Sequence, residues 1–149
     1  MSVFKYLLVI VFVSLPTAAS SDEEAITRAA LDYIESQHKP NADMMVRALH
    51  PKMKKRTYWK SGGKIDVMES SYQGMIDLAA TYNIDGDKFP VNPKREVTIL
   101  DVDRNVATVK LAADDWIDYM HLIKIDGKWT IINVLWQFND IIKHGVKSE

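Results

Sequence analysis

Cysteine is absent from the 149 residues, glycine occurs 6 times and proline 5 times, and 19 basic residues nearly cancel 20 acidic ones. These shortages exclude a disulfide scaffold, a thiolate nucleophile and collagen-like or low-complexity sequence. The balanced charge provides no global field for drawing the chain onto nucleic acid, and no such partner is expected. Chemical signatures are equally sparse. Ser61-Gly62-Gly63-Lys64 lacks the spacing and the following helix of a phosphate loop, and no Gly-x-Ser-x-Gly elbow occurs. His38, His50, His121 and His144 are scattered, none at metal-ligand spacing, so neither a metal nor a cofactor is expected. No Asn-x-Ser/Thr sequon is present, which leaves the source kingdom open. With 47% apolar residues, the chain can build the core of one domain.

The first twenty residues read as a secretory signal peptide. Lys5 supplies a positive start, Tyr6 to Leu15 is an apolar run interrupted by Ser14, and Pro16 precedes the small residues Thr17-Ala18-Ala19-Ser20. The apolar run is about half the roughly 20 residues that a membrane-spanning helix needs. Cleavage after Ala19 and after Ser20 fit equally well, leaving a single domain over 21–149 without a transmembrane span. Removal takes away one positive charge, Lys5, and no acidic one. A secreted or periplasmic domain without cysteine must find its stability in its core and in a subunit interface, so a homodimer is expected.

Ala25, Ile26, Ala29, Ala30, Tyr33 and Ile34 recur at helical spacing, predicting a helix from Asp22 to Lys39. Ser20 or Ser21 can cap it, with Glu23 or Glu24 completing a capping box. Asn41 opens a second helix over Ala42 to Leu49, stopped by His50-Pro51. Lys52 to Lys60 reads as a strand turning at Ser61-Gly62-Gly63, and Glu69 to Tyr82 as a third helix. After a long loop from Asn83 to Pro93, where a lid can sit, the period changes to two. Strands are predicted over 95–102, 106–113, 116–125 and 129–138, joined by turns short enough to force an antiparallel meander. Helices first and antiparallel strands last define an α+β fold with a curved sheet wrapped around the helices.

A two-residue turn at Asp126-Gly127 would pair Lys124 with Trp129 and carry the register back to Trp116 opposite Gln137. One face then holds Trp116, Asp118, Met120, Leu122, Trp129, Ile131, Asn133, Leu135 and Gln137. The other holds Tyr119 and His121 beside Trp136, either a pocket wall or a dimer interface. Both faces are largely apolar, so the helices must cover one and a second subunit the other. Asp118 and Asn133 would be diagonal neighbours on one face, with Asp118 opposite Leu135 and Met120 opposite Asn133. A carboxylate in an apolar concavity has its pKa pushed upward, as a general base requires. The alternative is that the two side chains satisfy each other or loop backbone.

Six basic residues, Lys52, Lys54, Lys55, Arg56, Lys60 and Lys64, crowd one stretch with no acid among them. They form either an anion-attracting rim, with Tyr58 and Trp59 as stacking surfaces, or an edge strand protected by charge. His50 either caps the second helix or faces the pocket.

The sequence Glu24-Ala25-Ile26, the helix end Ala48-Leu49-His50-Pro51, and the terminal run from Asp118-Tyr119-Met120-His121-Leu122 through Asp126-Gly127-Lys128-Trp129 to Asn133-Val134-Leu135-Trp136 resemble the "putative lumazine-binding" branch of the nuclear transport factor 2-like superfamily. The resemblance implies a cystatin-like cone, three helices packed into a strongly bent antiparallel sheet around a pocket, usually in a homodimer. The same scaffold hosts isomerases, cyclases, dehydratases and binding modules.

Three functions follow. The first is an exported binder of a small ligand, anionic or aromatic, held by His50, Tyr58, Trp59, Trp116 and Met120. The second is a cofactor-free isomerase, cyclase or dehydratase with Asp118 as base and Asn133 or His50 orienting the substrate. The third is a dimeric accessory module without ligand. If the leader is genuine, N-terminal sequencing of the exported protein will begin at Ser20, Ser21 or Asp22; a start at Met1 would refute export.

Overall fold

The computed structural model describes residues 21–61 and 63–140, so the leader read at residues 1–20 lies outside it. The order of elements is α1 (Asp22–His38), α2 (Ala42–Ala48), β1 (Leu49–Ser61), β2 (Lys64–Ser71), α3 (Tyr72–Thr81), β3 (Arg95–Asp103), β4 (Val106–Ala113), β5 (Trp116–Ile125) and β6 (Lys128–Phe138). The six strands make one sheet in the order β2-β1-β6-β5-β4-β3, curved around the three helices.

Helix α1 is fixed at its start. Of the two capping alternatives the chain uses Ser21 with Glu24: the Ser21 hydroxyl accepts from the Glu24 amide at 3.2 Å, and the Glu24 carboxylate accepts from the Ser21 amide at 3.1 Å. Such a cap contributes about 1 kcal/mol. Asp22 then accepts from Lys124 Nζ at 2.7 Å and Trp129 Nε1 at 2.9 Å, tying the helix start to the β5–β6 hairpin. Those two bonds, the one from Lys124 foremost, hold the Asp22 carboxyl below its ordinary pKa. Ile26, Ala30, Tyr33 and Ile34 face the sheet and are buried against Val109, Leu111, Met120 and Ile131.

Several elements depart from the sequence reading. A strand, β2, occupies Lys64–Ser71, and α3 begins three residues later than predicted, at Tyr72, because the Ser71 hydroxyl caps it by accepting from the Gly74 amide. Helix α2 ends at Ala48. His50 and Pro51 therefore belong to β1, and His50 caps no helix: its Nδ1 accepts from the Lys52 amide at 3.1 Å. The sheet is antiparallel except for one pair, β1 running parallel to β6.

The most consequential departure is a bulge in β6. Pairing follows the predicted register from Ile125–Lys128 to Leu122–Ile131, but His121 then faces Asn133, so that Ile132 is the extra residue. Every later β6 side chain changes face. Asp118 pairs with Trp136 rather than Leu135, and Met120 with Val134 rather than Asn133. The inner face thus gains Val134 and Trp136 in place of Asn133 and Leu135. Tyr119 and His121 remain on the outer face, without Trp136 beside them.

Candidate functional site

The period of two in β1 turns Met53, Lys55 and Thr57 inward while Lys54 and Arg56 face out. The basic stretch is therefore divided. Lys54 and Arg56 both pair with Glu69 on β2, and Lys55 alone of the three points into the cone. Its ammonium lies 2.6 Å from the Tyr33 hydroxyl and 3.4 Å from Asp118 Oδ1, and 4.9 Å from the centre of the Trp136 ring. Tyr33 donates to Asp118 Oδ1 at 3.5 Å, and Trp116 Nε1 donates to Oδ2 at 2.9 Å. Four elements, α1, β1, β5 and β6, therefore meet at one charged group.

Burial pushes the Asp118 carboxyl above its ordinary pKa, opposed chiefly by the Lys55 charge and then by the bonds from Lys55, Trp116 and Tyr33. Burial and the Asp118 charge together push the Tyr33 phenol well above its usual value, so it stays protonated at neutral pH. Both carboxylate oxygens of Asp118 are engaged, and the residue is completely buried. An ammonium has three donors, and two oxygens occupy Lys55, which leaves one N–H for a further acceptor.

That ammonium lies at the wall of a cavity of about 310 Å³, lined also by Gln37, Leu78, Tyr82, Asp115, Trp116, Trp136 and Phe138. Trp136 and Phe138 meet edge to face at 5.1 Å, and Trp59 supports Phe138 at 6.2 Å. Gln37 is held by its amide donating to the Tyr33 carbonyl at 3.1 Å. The arrangement sets one cation, Lys55, and one carboxylate, Asp115, in the wall of an otherwise mostly aromatic cavity, suited to holding a flat ligand with an electron-rich oxygen at one end.

The predicted site residues fall in four places. Trp116 lines the cavity, Asp118 lies behind it, Met120 is deeper in the core, and Trp59 reaches the cavity wall through Phe138. Tyr58 is exposed on the outer face. Asn133 is also on that face, its Oδ1 accepting from Arg56 at 3.2 Å and its Nδ2 lying 3.3 Å from His121 Nδ1. Asp118 and Asn133, expected as diagonal neighbours on one face, therefore lie on opposite faces and do not meet. His50 lines a separate hollow beside Tyr72 and Ile125. Sequence reasoning misses Tyr33 and Lys55 as partners of Asp118, and Gln37 as part of the cavity wall. For Lys55 the signal was present in the alternation Met53-Lys55-Thr57, hidden by the charges on either side. Among the described residues no group of His, Asp and Glu is placed to hold a metal ion, and no helix is long and apolar enough to cross a membrane.

Three helices packed in one curved six-stranded sheet make this an α+β protein of the cystatin-like fold class, the fold of the solved proteins it superposes on. Within that class the chain belongs to the family described as "Putative lumazine-binding", whose model matches residues 21–137. An NTF2-like protein of unknown function from Shewanella baltica superposes with a TM-score of 0.61 at 20% identity, covering 80% of this chain and 94% of that one. Another from Methylobacillus flagellatus gives 0.59 at 20% identity, covering 85% and 100%. A third from Silicibacter pomeroyi gives 0.62 at 14% identity, covering 77% and 93%. No curated protein matches the chain.

The buried pair makes a stability prediction. Asp118→Asn keeps an acceptor for Trp116 but strands the Lys55 charge, and urea denaturation is expected to show a loss of about 3 kcal/mol. Adding Lys55→Met should restore most of it. An Asp118→Asn protein as stable as the wild type would show that the pair does not hold the fold.

Proposed function

We propose that the protein is an exported, homodimeric binder of a small, partly aromatic ligand carrying an anionic or electron-rich oxygen. The observation that carries this reading is a buried ammonium in the wall of a largely aromatic cavity, with two of its three donors taken by Tyr33 and Asp118. Burying a cation beside a cavity is costly unless its donors find acceptors, and a ligand oxygen supplies the missing one. The family's description as lumazine-binding supports a ligand of this kind, a flat ring bearing carbonyl oxygens.

Catalysis by Asp118 is the second reading, favoured by the upward push that burial exerts on its pKa. A base must reach its substrate, however, and Asp118 is separated from the cavity by Lys55 and Trp116, which already occupy its oxygens. The geometry makes it the counter-ion that keeps Lys55 in place.

The dimer reading is supported by the outer sheet face. Ile65, Val67, Tyr58, Leu135 and Tyr119 lie on that face across β2, β1, β6 and β5 and remain 43–68% exposed. They share the face with the ion pairs of Lys54 and Arg56 to Glu69 and with Asn133 and His121, and such a mixed apolar and charged surface over four strands suits a two-fold interface with a second copy.

Two measurements test these statements. Titrated with anionic anilinonaphthalene sulfonate and with neutral phenylnaphthylamine, the wild type should prefer the anion. The double variant Lys55→Met/Asp118→Asn should lose about tenfold of that preference, the worth of one charge-assisted hydrogen bond. Absence of binding by either probe would refute the cavity reading, and an unchanged preference would remove Lys55 from it. In light scattering at micromolar concentration the wild type should be a dimer and Leu135→Asp a folded monomer. Val134→Asp, one residue away but facing the core, should unfold the chain; a monomeric wild type would refute the interface.

A further inference from the structure

Two polar side chains of the cavity wall come together at Tyr33. Gln37, one turn after Tyr33 on α1, lines the cavity from the helix side and Lys55 lines it from β1, and both are more than nine-tenths buried. The Lys55 ammonium is 2.6 Å from the Tyr33 hydroxyl, and Gln37 Nε2 donates to the Tyr33 carbonyl at 3.1 Å. Burial and the Asp118 charge push that phenol up, while the Gln37 amide, acting on it as a hydrogen-bond donor, pulls the other way. The amide and the ammonium therefore flank one residue in the wall.

The orientation of the Gln37 amide is fixed by what it faces. A carbonyl oxygen can only accept, so the atom at the Tyr33 carbonyl must be the amide nitrogen. The same carbonyl takes the Ser36 hydroxyl at 2.8 Å, which steadies this last turn of α1. With its nitrogen committed to Tyr33, Gln37 has Oε1, an acceptor, to offer a ligand beside the third donor of Lys55. Trp116 Nε1 is spent on Asp118. Asp115 stands further off: it precedes Asp118 by three residues, about 10 Å along an extended chain, whereas Lys55 is 3.4 Å from Asp118.

We infer that Lys55 and Gln37 together read the edge of a cyclic amide: the ligand's ring carbonyl accepts from Lys55, and the adjoining ring N–H donates to Gln37 Oε1. This rests on the binding reading above and names the ligand class within it, a flat fused lactam or imide. Two fused rings suit a volume of about 310 Å³ walled by Trp116, Trp136 and Phe138. Lys55 serves any electron-rich oxygen. Gln37 makes the choice, because a ligand without the N–H buries Oε1 against a group that cannot donate to it. A site built around a buried hydrogen bond rejects such a ligand more strongly than it rejects a small change of shape.

The test is isothermal titration calorimetry at neutral pH with three neutral probes. Quinolin-2-one carries the N–H, N-methylquinolin-2-one lacks it, and 3-methylquinolin-2-one adds the same bulk on carbon. The wild type should bind the first and third alike and the N-methyl compound about tenfold more weakly. Gln37→Met, close in shape but without the acceptor, should bind all three alike while melting as a folded protein. Gln37→Glu, which keeps an acceptor oxygen, should retain the preference. Equal binding of the N–H and N-methyl probes by the wild type would overturn the inference whatever the variants do. A preference that survives in folded Gln37→Met would overturn it as well, leaving Asp115 as the acceptor.

The class of ligand and the cavity fail separately. Binding of anilinonaphthalene sulfonate through Lys55 without any lactam preference refutes the cyclic-amide edge and leaves the cavity standing. Failure of every probe, anionic and neutral, refutes the cavity and the edge with it.

Discussion

An isolated carboxylate completely removed from water would cost several kcal/mol, a large share of the roughly 5–15 kcal/mol that holds a domain folded. Asp118 is in that position, and Lys55, Tyr33 and Trp116 make its burial tolerable. The requirement reaches far beyond four side chains. Lys55 belongs to β1, Tyr33 to α1 and Asp118 to β5, so the helix, the second strand of the sheet and the penultimate strand must all meet in one relative position. A one-residue slip of β1 would still offer Asp118 a cation, Lys54 or Arg56, but it would turn Met53 and Thr57 outward and take both cations from Glu69. The buried pair and the apolar alternation therefore specify the packing together, and the apolar core supplies most of the energy.

The bulge at Ile132 is the second determinant, because it assigns the end of β6 to its faces. Below it, Trp129 and Ile131 point inward; above it, Val134, Trp136 and Phe138 do. A regular strand would have delivered Asn133 and Leu135 to the interior instead. The aromatic wall of the cavity thus exists because of one inserted residue.

Much of this was legible beforehand, and the misses have definite physical causes. The capping signals around α1, the hairpin turn at Asp126-Gly127 and the switch from helical to alternating periodicity placed most elements, because each is a local property of a few residues. The strand β2 was readable in the alternation of Ile65 and Val67 after the glycine turn, but its complete exposure gave no contrast between faces. The bulge was not readable: Ile131 and Ile132 are adjacent and equally apolar, so either can face inward, and tertiary packing decides. Lys55 was masked for a related reason, since a basic residue flanked by basic residues reads as solvated surface.

The parallel pairing of β1 with β6 has a consequence for the order of assembly. Hairpins β1–β2, β3–β4 and β5–β6 can form from neighbouring sequence, but the seam between β1 and β6 joins segments separated by most of the domain. Contacts of such long range form late, since the intervening chain must be ordered before they are rewarded. The strand that carries Lys55 is therefore joined to the sheet only after the last strand has been made. A chain still lacking residues 128–138 cannot close its sheet, so it stays extensible until synthesis of the domain is complete.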